Sequence, residues 1–189
     1  MLIVYAGQLV LAGSLRFGAA YTVANNLPTN YYLALNPWLH SDHLHIFQNA
    51  LLFVIFGAWS ERKIGTKQFV TGAIIIGYIT NIAPSLLGIG GLGIGASGIT
   101  NALETYFVLF QLSQYTKATY ADPPQYRKAA KHLILFFIVT ILVLKSIAEY
   151  FGYITPASGV AVGGHFIGVL LGLTWFTARS LNQSVRTKT

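Results

Sequence analysis

The residues with the clearest chemical potential surround Ser97, in the run Gly95-Ala96-Ser97-Gly98. A serine between glycines leaves room for a substrate backbone to approach the hydroxyl. Backbone amides at the start of a helix can also donate hydrogen bonds to a developing oxyanion. This short run predicts a nucleophilic serine, although a small-residue turn that lets two helices pack would have the same composition.

A second candidate is His165, which follows Gly163-Gly164 and precedes Gly168 and Gly172. Histidine is the usual general base for a serine near neutral pH. The two later glycines, four residues apart, predict close approach to a neighbouring helix. The alternative is a histidine that only makes a hydrogen bond between packed helices.

The third candidate set is His45 with Asn49, four residues apart and therefore on one face of a helix. Both side chains can donate hydrogen bonds. The alternative role is again a polar contact between helices.

The elements that carry these residues are predicted to be membrane helices. The chain has 189 residues, of which 54% are hydrophobic and 9% charged, whereas soluble domains average about 25% charged residues. The mean hydropathy is +0.58. We therefore expect an all-α membrane protein, one domain over 1–189 with six transmembrane helices, at roughly 2–24, 44–60, 68–87, 96–115, 132–150 and 157–178.

The basic residues predict the orientation of this bundle. With a cytoplasmic N-terminus, ten of the 12 basic residues fall in cytoplasmic loops or the C-terminal tail, and only Arg16 and Lys145 do not. Both termini are therefore predicted to be cytoplasmic, in a multi-pass protein of the plasma membrane. The start of the chain has no basic region before its apolar run, so we interpret it as the first span and not as a cleaved signal.

Depth in the membrane brings the candidates together. In this orientation the second, fourth and sixth spans all run from outside to inside. His45, Asn49, Ser97 and His165 then lie about 18–30 Å above the cytoplasmic helix ends, in the outer half of the bilayer. Four unrelated packing residues would have no reason to share this level.

Several other functions are disfavoured. The chain has no cysteine, which removes thiolate nucleophiles and disulfides. His40, His43 and His45 surround Asp42, but no H-E-x-x-H motif is present, so we expect no metal and no cofactor. The net charge of +7 comes from clusters between apolar runs, which disfavours nucleic acid as a partner. Glu104 is the best evidence for a small transporter, yet it shares a helix face with Ser97.

The combined motifs resemble the rhomboid family of intramembrane serine proteases. The residues that carry the resemblance are His40-x4-His45-x3-Asn49, Gly95-x-Ser97-Gly98 and His165-x2-Gly168-x3-Gly172, with Glu61-Arg62 and Gly65 after the second span. The resemblance extends over about residues 35–175. No single motif is specific, but their order and spacing together are.

The resemblance implies a function for each part. Ser97 and His165 would form a catalytic dyad without a third acid, and His45, Asn49 and the Ser97 amide would line the oxyanion site. The connection 151–156 would be the gate, and the long outer loop 25–43 would lie against the outer leaflet. Single-span transmembrane proteins, cleaved near the outer face, would be the substrates. The alternative is a catalytically inactive rhomboid-fold protein that binds membrane clients.

Two positions depart from the family pattern. Many members have Trp-Arg in the first outer loop, where this chain has Tyr31-Tyr32. Many also have an aromatic residue one turn after the serine, stacked on the histidine, where this chain has Asn101. We therefore expect the outer loop to be anchored differently, and we expect Asn101 to be a candidate hydrogen-bond partner of His165.

Lys145 and Glu149 are four residues apart, which predicts that they pair on one helix face.

Overall fold

The computed structural model describes residues 3, 5–6, 9–10, 28–155 and 161–186. Within them lie six helices with defined bounds and no strand. The helices are α1 (Thr29–Leu35), α2 (His43–Ile64), α3 (Thr66–Leu86), α4 (Ser97–Thr119), α5 (Tyr126–Tyr150) and α6 (Val162–Arg186), and a 3-10 turn (Asn36–Trp38) follows α1. The few described residues near the N-terminus are also helical. Most of the predicted first span, with Arg16, lies outside the described residues.

The ends of α2 follow from local sequence. Asp42 caps its N-terminus, because the carboxylate accepts a hydrogen bond of 2.8 Å from the His45 amide. Gly65 ends the helix with a φ of +86°, in the left-handed region that only glycine adopts at low cost. α3 begins at the next residue, Thr66. The two helices are therefore joined by a one-residue turn.

α4 is the central helix of the bundle. Every residue from Gly98 to Val108 is buried, and the helix packs against α2, α3, α5 and α6. Ile99 and Leu103 are fully buried in the core. Because α4 begins at Ser97 itself, the candidate nucleophile lies at the end of the most enclosed helix.

The outer surfaces of the surrounding helices are apolar. Large hydrophobic side chains are exposed along α2, α3 and α5, including Val54, Ile75 and Ile141. α3 and α5 are long and apolar enough to cross a membrane. The other described helices do not meet this criterion. The polar residues of α4, such as Asn101 and Glu104, lower its mean hydropathy. Six spans and a single domain over 1–189 stay predictions.

The loops are shorter than the sequence predicted. The region 25–43, expected to be a long outer loop, contains α1 and the 3-10 turn, since Pro28 and Pro37 sit where proline is compatible with the start of a helical turn. The cytoplasmic connection expected at 116–131 shortens to 120–125, because α4 extends to Thr119 and α5 begins at Tyr126.

Candidate active site

Ser97 is the first residue of α4, and the segment before it is held by hydrogen bonds to two other elements. The Gly95 amide donates to the carbonyl oxygen of Asn36 at 2.8 Å. The Gly95 carbonyl accepts a hydrogen bond of 3.0 Å from Asn81 Nδ2. Asn81 Nδ2 also donates to the Gly77 carbonyl at 2.8 Å. The approach to Ser97 is thereby fixed between the 3-10 turn and α3.

The glycine-rich run before this point is anchored as well. The Gly93 amide donates to the Asn81 carbonyl at 2.8 Å. The Tyr32 hydroxyl lies 3.3 Å from the Leu92 carbonyl and 3.2 Å from the Gly93 carbonyl. The Tyr32 phenol therefore connects α1 to the glycine-rich run.

His45 and Asn49 both face Gly95, two residues before Ser97. A Cβ atom built on Gly95 would lie 3.0 Å from His45 Nε2 and 3.3 Å from Asn49 Nδ2. Gly95 has a φ of +97°, so glycine is favoured there by backbone conformation and by space. Asn49 is 3% exposed, and its Nδ2 atom has no hydrogen-bond partner. His45 and Asn49 of α2 therefore lie beside the segment that leads into Ser97.

A small hydrogen-bond network orients the His45 ring. The Ser41 hydroxyl lies 3.0 Å from His45 Nδ1, and the Ser41 amide donates to the same nitrogen at 3.4 Å. The Ser41 hydroxyl also donates to Asp42 Oδ2 at 2.7 Å. Burial raises the pKa of the Asp42 carboxyl, but hydrogen bonds from Ser41 and the His45 amide outweigh it and hold this pKa below its ordinary value. Asp42 thus both caps α2 and orders the residues around His45.

α6 packs against α4 backbone to backbone. A Cβ on Gly168 would collide with the Gly98 carbonyl oxygen, and one on Gly172 would collide with the Ala102 carbonyl oxygen. The predicted close approach of these two glycines to a neighbouring helix is therefore confirmed. His165 lies one turn before Gly168, and Ser97 is adjacent to Gly98. The contact brings the starts of α4 and α6 to the same level of the bundle.

His165 is enclosed on the side of α5. Its side chain is 14% exposed, and its Nδ1 atom has no hydrogen-bond partner. Glu149 Oε2 lies 3.9 Å from Nδ1, and Lys145 binds the other carboxylate oxygen at 2.7 Å. The predicted pairing of Lys145 with Glu149 is confirmed.

Aromatic rings cover the neighbouring turn. Phe166 stacks on Tyr150 with centroids 4.1 Å apart and an interplanar angle of 5°, and Phe151 meets Phe166 edge-on at 5.8 Å. Tyr153 is 84% exposed. Of the predicted gate residues, Phe151 thus packs against Phe166, which follows His165 in the chain. Pro156 lies outside the described residues.

Asn101 does not bind His165. Its Nδ2 donates to the Ser97 carbonyl at 2.8 Å, and its Oδ1 is buried without a hydrogen-bond partner. The expectation of a bond from Asn101 to His165 is wrong, because the amide closes onto its own helix one turn back. Glu104, two turns after Ser97, is 3% exposed and faces the protein interior.

The histidines near the start of α2 pack together. The rings of His40 and His45 meet edge-on with centroids 5.1 Å apart, and His43 Nδ1 lies 2.9 Å from the Tyr5 hydroxyl. Within the part of the chain that the structure describes, no group of three His, Asp or Glu residues is placed to hold a metal ion. The expected absence of a metal or cofactor stays a prediction.

The contacts that three residues make at the site were not predicted from the sequence. These residues are Asn36 and Asn81, which hold Gly95, and Glu149, whose carboxylate faces His165. A polar residue in an apolar segment was the available signal for Asn81. Glu149 was assigned only to its partner on the same helix, because spacing along one helix does not show which neighbouring helix a side chain faces.

Comparison with known proteins supports the resemblance. The family model for the rhomboid domain matches residues 28–181. Rhomboid protease GlpG of Haemophilus influenzae is 30% identical over 144 residues, which cover 72% of this chain and 63% of that protein. The chain therefore matches somewhat less than two thirds of the length of this relative. No solved structure matches the chain.

Proposed function

Because the chain belongs to the rhomboid family, and so is an integral membrane protein, we propose that it is an intramembrane serine endopeptidase built as a six-span bundle. Ser97 is the nucleophile and His165 is its general base. The observation that carries this proposal is the contact of Gly168 with the Gly98 carbonyl, which sets the two residues at one level of adjoining helices.

The reaction follows from these roles. His165 takes the proton of the Ser97 hydroxyl as the oxygen attacks the carbonyl carbon of a peptide bond. The tetrahedral intermediate collapses when His165 passes that proton to the leaving amine, which leaves an acyl group on Ser97. A water molecule, activated by His165, then hydrolyses the ester and restores the free serine.

The oxyanion is held by donors fixed before the reaction. Asn49 Nδ2 is buried and unpartnered beside Gly95, so a negatively charged oxygen near Ser97 would satisfy it. The Ser41 amide donates to His45 Nδ1, which places the proton of neutral His45 on Nε2, the nitrogen facing Gly95. The Ser97 amide is the third donor, because Ser97 is the first residue of α4 and the first amides of a helix have no acceptor within it.

The substrates are single-span transmembrane proteins, cleaved near the outer face of the plasma membrane with both termini of the enzyme in the cytoplasm. A substrate helix must unwind at the site, since an intact helix keeps its carbonyls in hydrogen bonds. Substrates with small or helix-breaking residues near the outer face are therefore favoured. The connection beginning at Phe151 is the gate through which they enter.

The test is labelling of purified protein with a fluorophosphonate, together with cleavage of a single-span test substrate. Wild type should label and cleave, whereas Ser97→Ala and His165→Ala should do neither while melting like wild type. Ser85→Ala is the matched control, because Ser85 is an exposed serine at the end of α3. Cleavage retained in Ser97→Ala would falsify the proposal. A folded wild type that neither labels nor cleaves would favour the client-binding alternative.

A further inference from the structure

Two buried polar atoms face each other between α5 and α6. His165 Nδ1 and Glu149 Oε2 are 3.9 Å apart, and neither has a hydrogen-bond partner. The Glu149 side chain is 3% exposed. A buried oxygen that makes no hydrogen bond is costly, so the orientation of Oε2 toward an imidazole nitrogen calls for an explanation.

Neighbouring contacts fix this arrangement on both sides. Lys145 binds Glu149 Oε1 at 2.7 Å, which holds the carboxylate and leaves Oε2 for His165. The next residues along each helix, Tyr150 and Phe166, stack with centroids 4.1 Å apart. The stacked rings set the register of α5 against α6 at the level of Glu149 and His165.

We propose that Glu149 is a positioning residue for His165, which makes the catalytic unit a triad and not a dyad. The proposal rests on the proposed function, in which His165 is the general base. A carboxylate at Nδ1 favours the tautomer that carries its proton on that nitrogen. Nε2 is then free to accept the proton of Ser97, and the negative charge stabilises the imidazolium that forms.

The separation of 3.9 Å is longer than a hydrogen bond. Catalytic hydrogen bonds are often long without substrate and tighten in the reacting complex. A shift of about 1 Å between the ends of α5 and α6 would bring the two atoms into hydrogen-bonding range.

A purely structural ion pair with Lys145 does not explain why the Glu149 carboxylate is buried facing His165. The Lys145 side chain is 58% exposed, so that pair could form at the outer surface of α5 without burying Glu149. The groups acting electrostatically on His165 are Glu149 and Lys145 from α5 and His45 from α2. Glu104 of α4 lies near Lys145 and, among the described residues, forms no ion pair with His165. Glu104 is therefore a matched control: a second buried glutamate of the same bundle that does not face His165.

The experiment compares Glu149→Gln with Glu104→Gln in purified protein. Glutamine keeps the shape of the side chain and removes its charge. Glu149→Gln should lower both kcat and the rate of fluorophosphonate labelling by about 10²-fold, with KM changed less than about threefold. Glu104→Gln should stay within about threefold of wild type in all three quantities. A residue that merely supports packing would not lower nucleophile reactivity at constant KM.

Folding is controlled by a double variant. If Glu149→Gln melts well below wild type because Lys145 loses its partner, K145M/E149Q removes both charges and should restore the melting temperature without restoring labelling. Wild-type labelling in a folded Glu149→Gln or double variant overturns the assignment while leaving the serine mechanism intact. Absence of Ser97-dependent labelling in wild type overturns the proposed function and this assignment with it.

Discussion

The Asn81 side chain, near the C-terminal end of α3, donates a hydrogen bond of 3.0 Å to the carbonyl oxygen of Gly95. A second helix thereby fixes the backbone two residues before the candidate nucleophile. The donor is buried, and so is the carbonyl that it satisfies. Loss of this bond leaves an unpaired oxygen next to the active site.

We predict that Asn81→Leu destabilises the protein and slows cleavage. Each buried acceptor left unsatisfied costs about 1–3 kcal/mol, which corresponds to a fall in melting temperature of roughly 3–10 °C for a chain of this size. The control is Thr174→Val, which removes only a local bond to Leu170 on an exposed face of α6. Equal melting temperatures for the two variants would contradict the role of Asn81.

The proposed oxyanion donor of α2, Asn49, gives a second prediction. Asn49→Ala should lower kcat by about 10²-fold or less and leave KM nearly unchanged, because one donor among several is removed from the transition state. Gln48→Ala is the control, since Gln48 is the exposed neighbour on the same helix. If folded Asn49→Ala were as inactive as Ser97→Ala, Asn49 would have a different role.

The contact between α4 and α6 gives a third prediction. In Gly172→Ala the new methyl group collides with the Ala102 carbonyl and lies 2.8 Å from Thr105 Cβ. Overpacking costs about 1–3 kcal/mol, more than the gain of up to about 1 kcal/mol in helix propensity. Both the melting temperature and cleavage should fall. Gly91→Ala is the control, because nothing lies within 4 Å of its new Cβ, and similar melting of the two variants would argue against tight packing.

The proposed gate gives a fourth prediction, in which the structure separates two aromatic residues. Phe151 contacts the Phe166 ring, whereas Tyr153 is 84% exposed. Phe151→Ala should lower the melting temperature by a few degrees, since an aromatic pair contributes about 0.5–1.5 kcal/mol. It should also raise cleavage of a poorly cleaved substrate.

Tyr153→Ala serves as the partner measurement, with a melting temperature within about 1 °C of wild type. Turnover and melting are measured in the same detergent. If Phe151→Ala melted lower and cleaved every substrate at or below the wild-type rate, Phe151 would be a packing residue and not part of a gate.

Much of the fold was accessible from sequence because it depends on local patterns. The apolar runs located α2, α3 and α4 to within four residues at each end, and α5 and α6 to within eight. The four-residue spacing identified the pair of Lys145 with Glu149. The depth argument placed Ser97 and His165 at one level, in agreement with the contact between Gly98 and Gly168.

What the sequence did not show depends on how the helices are rotated about their axes. Whether Glu149 faces lipid, Lys145 alone, or His165 is decided by the packing of α5 on α6. The same holds for Asn101, whose amide binds the Ser97 carbonyl and not His165. The sequence predicts a loop over 25–43, but proline is also compatible with the start of a helical turn. Pro28 immediately precedes α1, and Pro37 lies at the start of the 3-10 turn.

The contact of Gly168 and Gly172 with the α4 carbonyls also bears on how the protein can evolve. Main chain meets main chain there, so the spacing of the two helices does not depend on the volume of any side chain. Substitutions in the exposed apolar residues or around Phe151 can therefore accumulate, and change which of the proposed substrates enter, without altering that spacing. Directed evolution of substrate preference should accordingly tolerate wide variation in those outer positions and almost none at the two glycines.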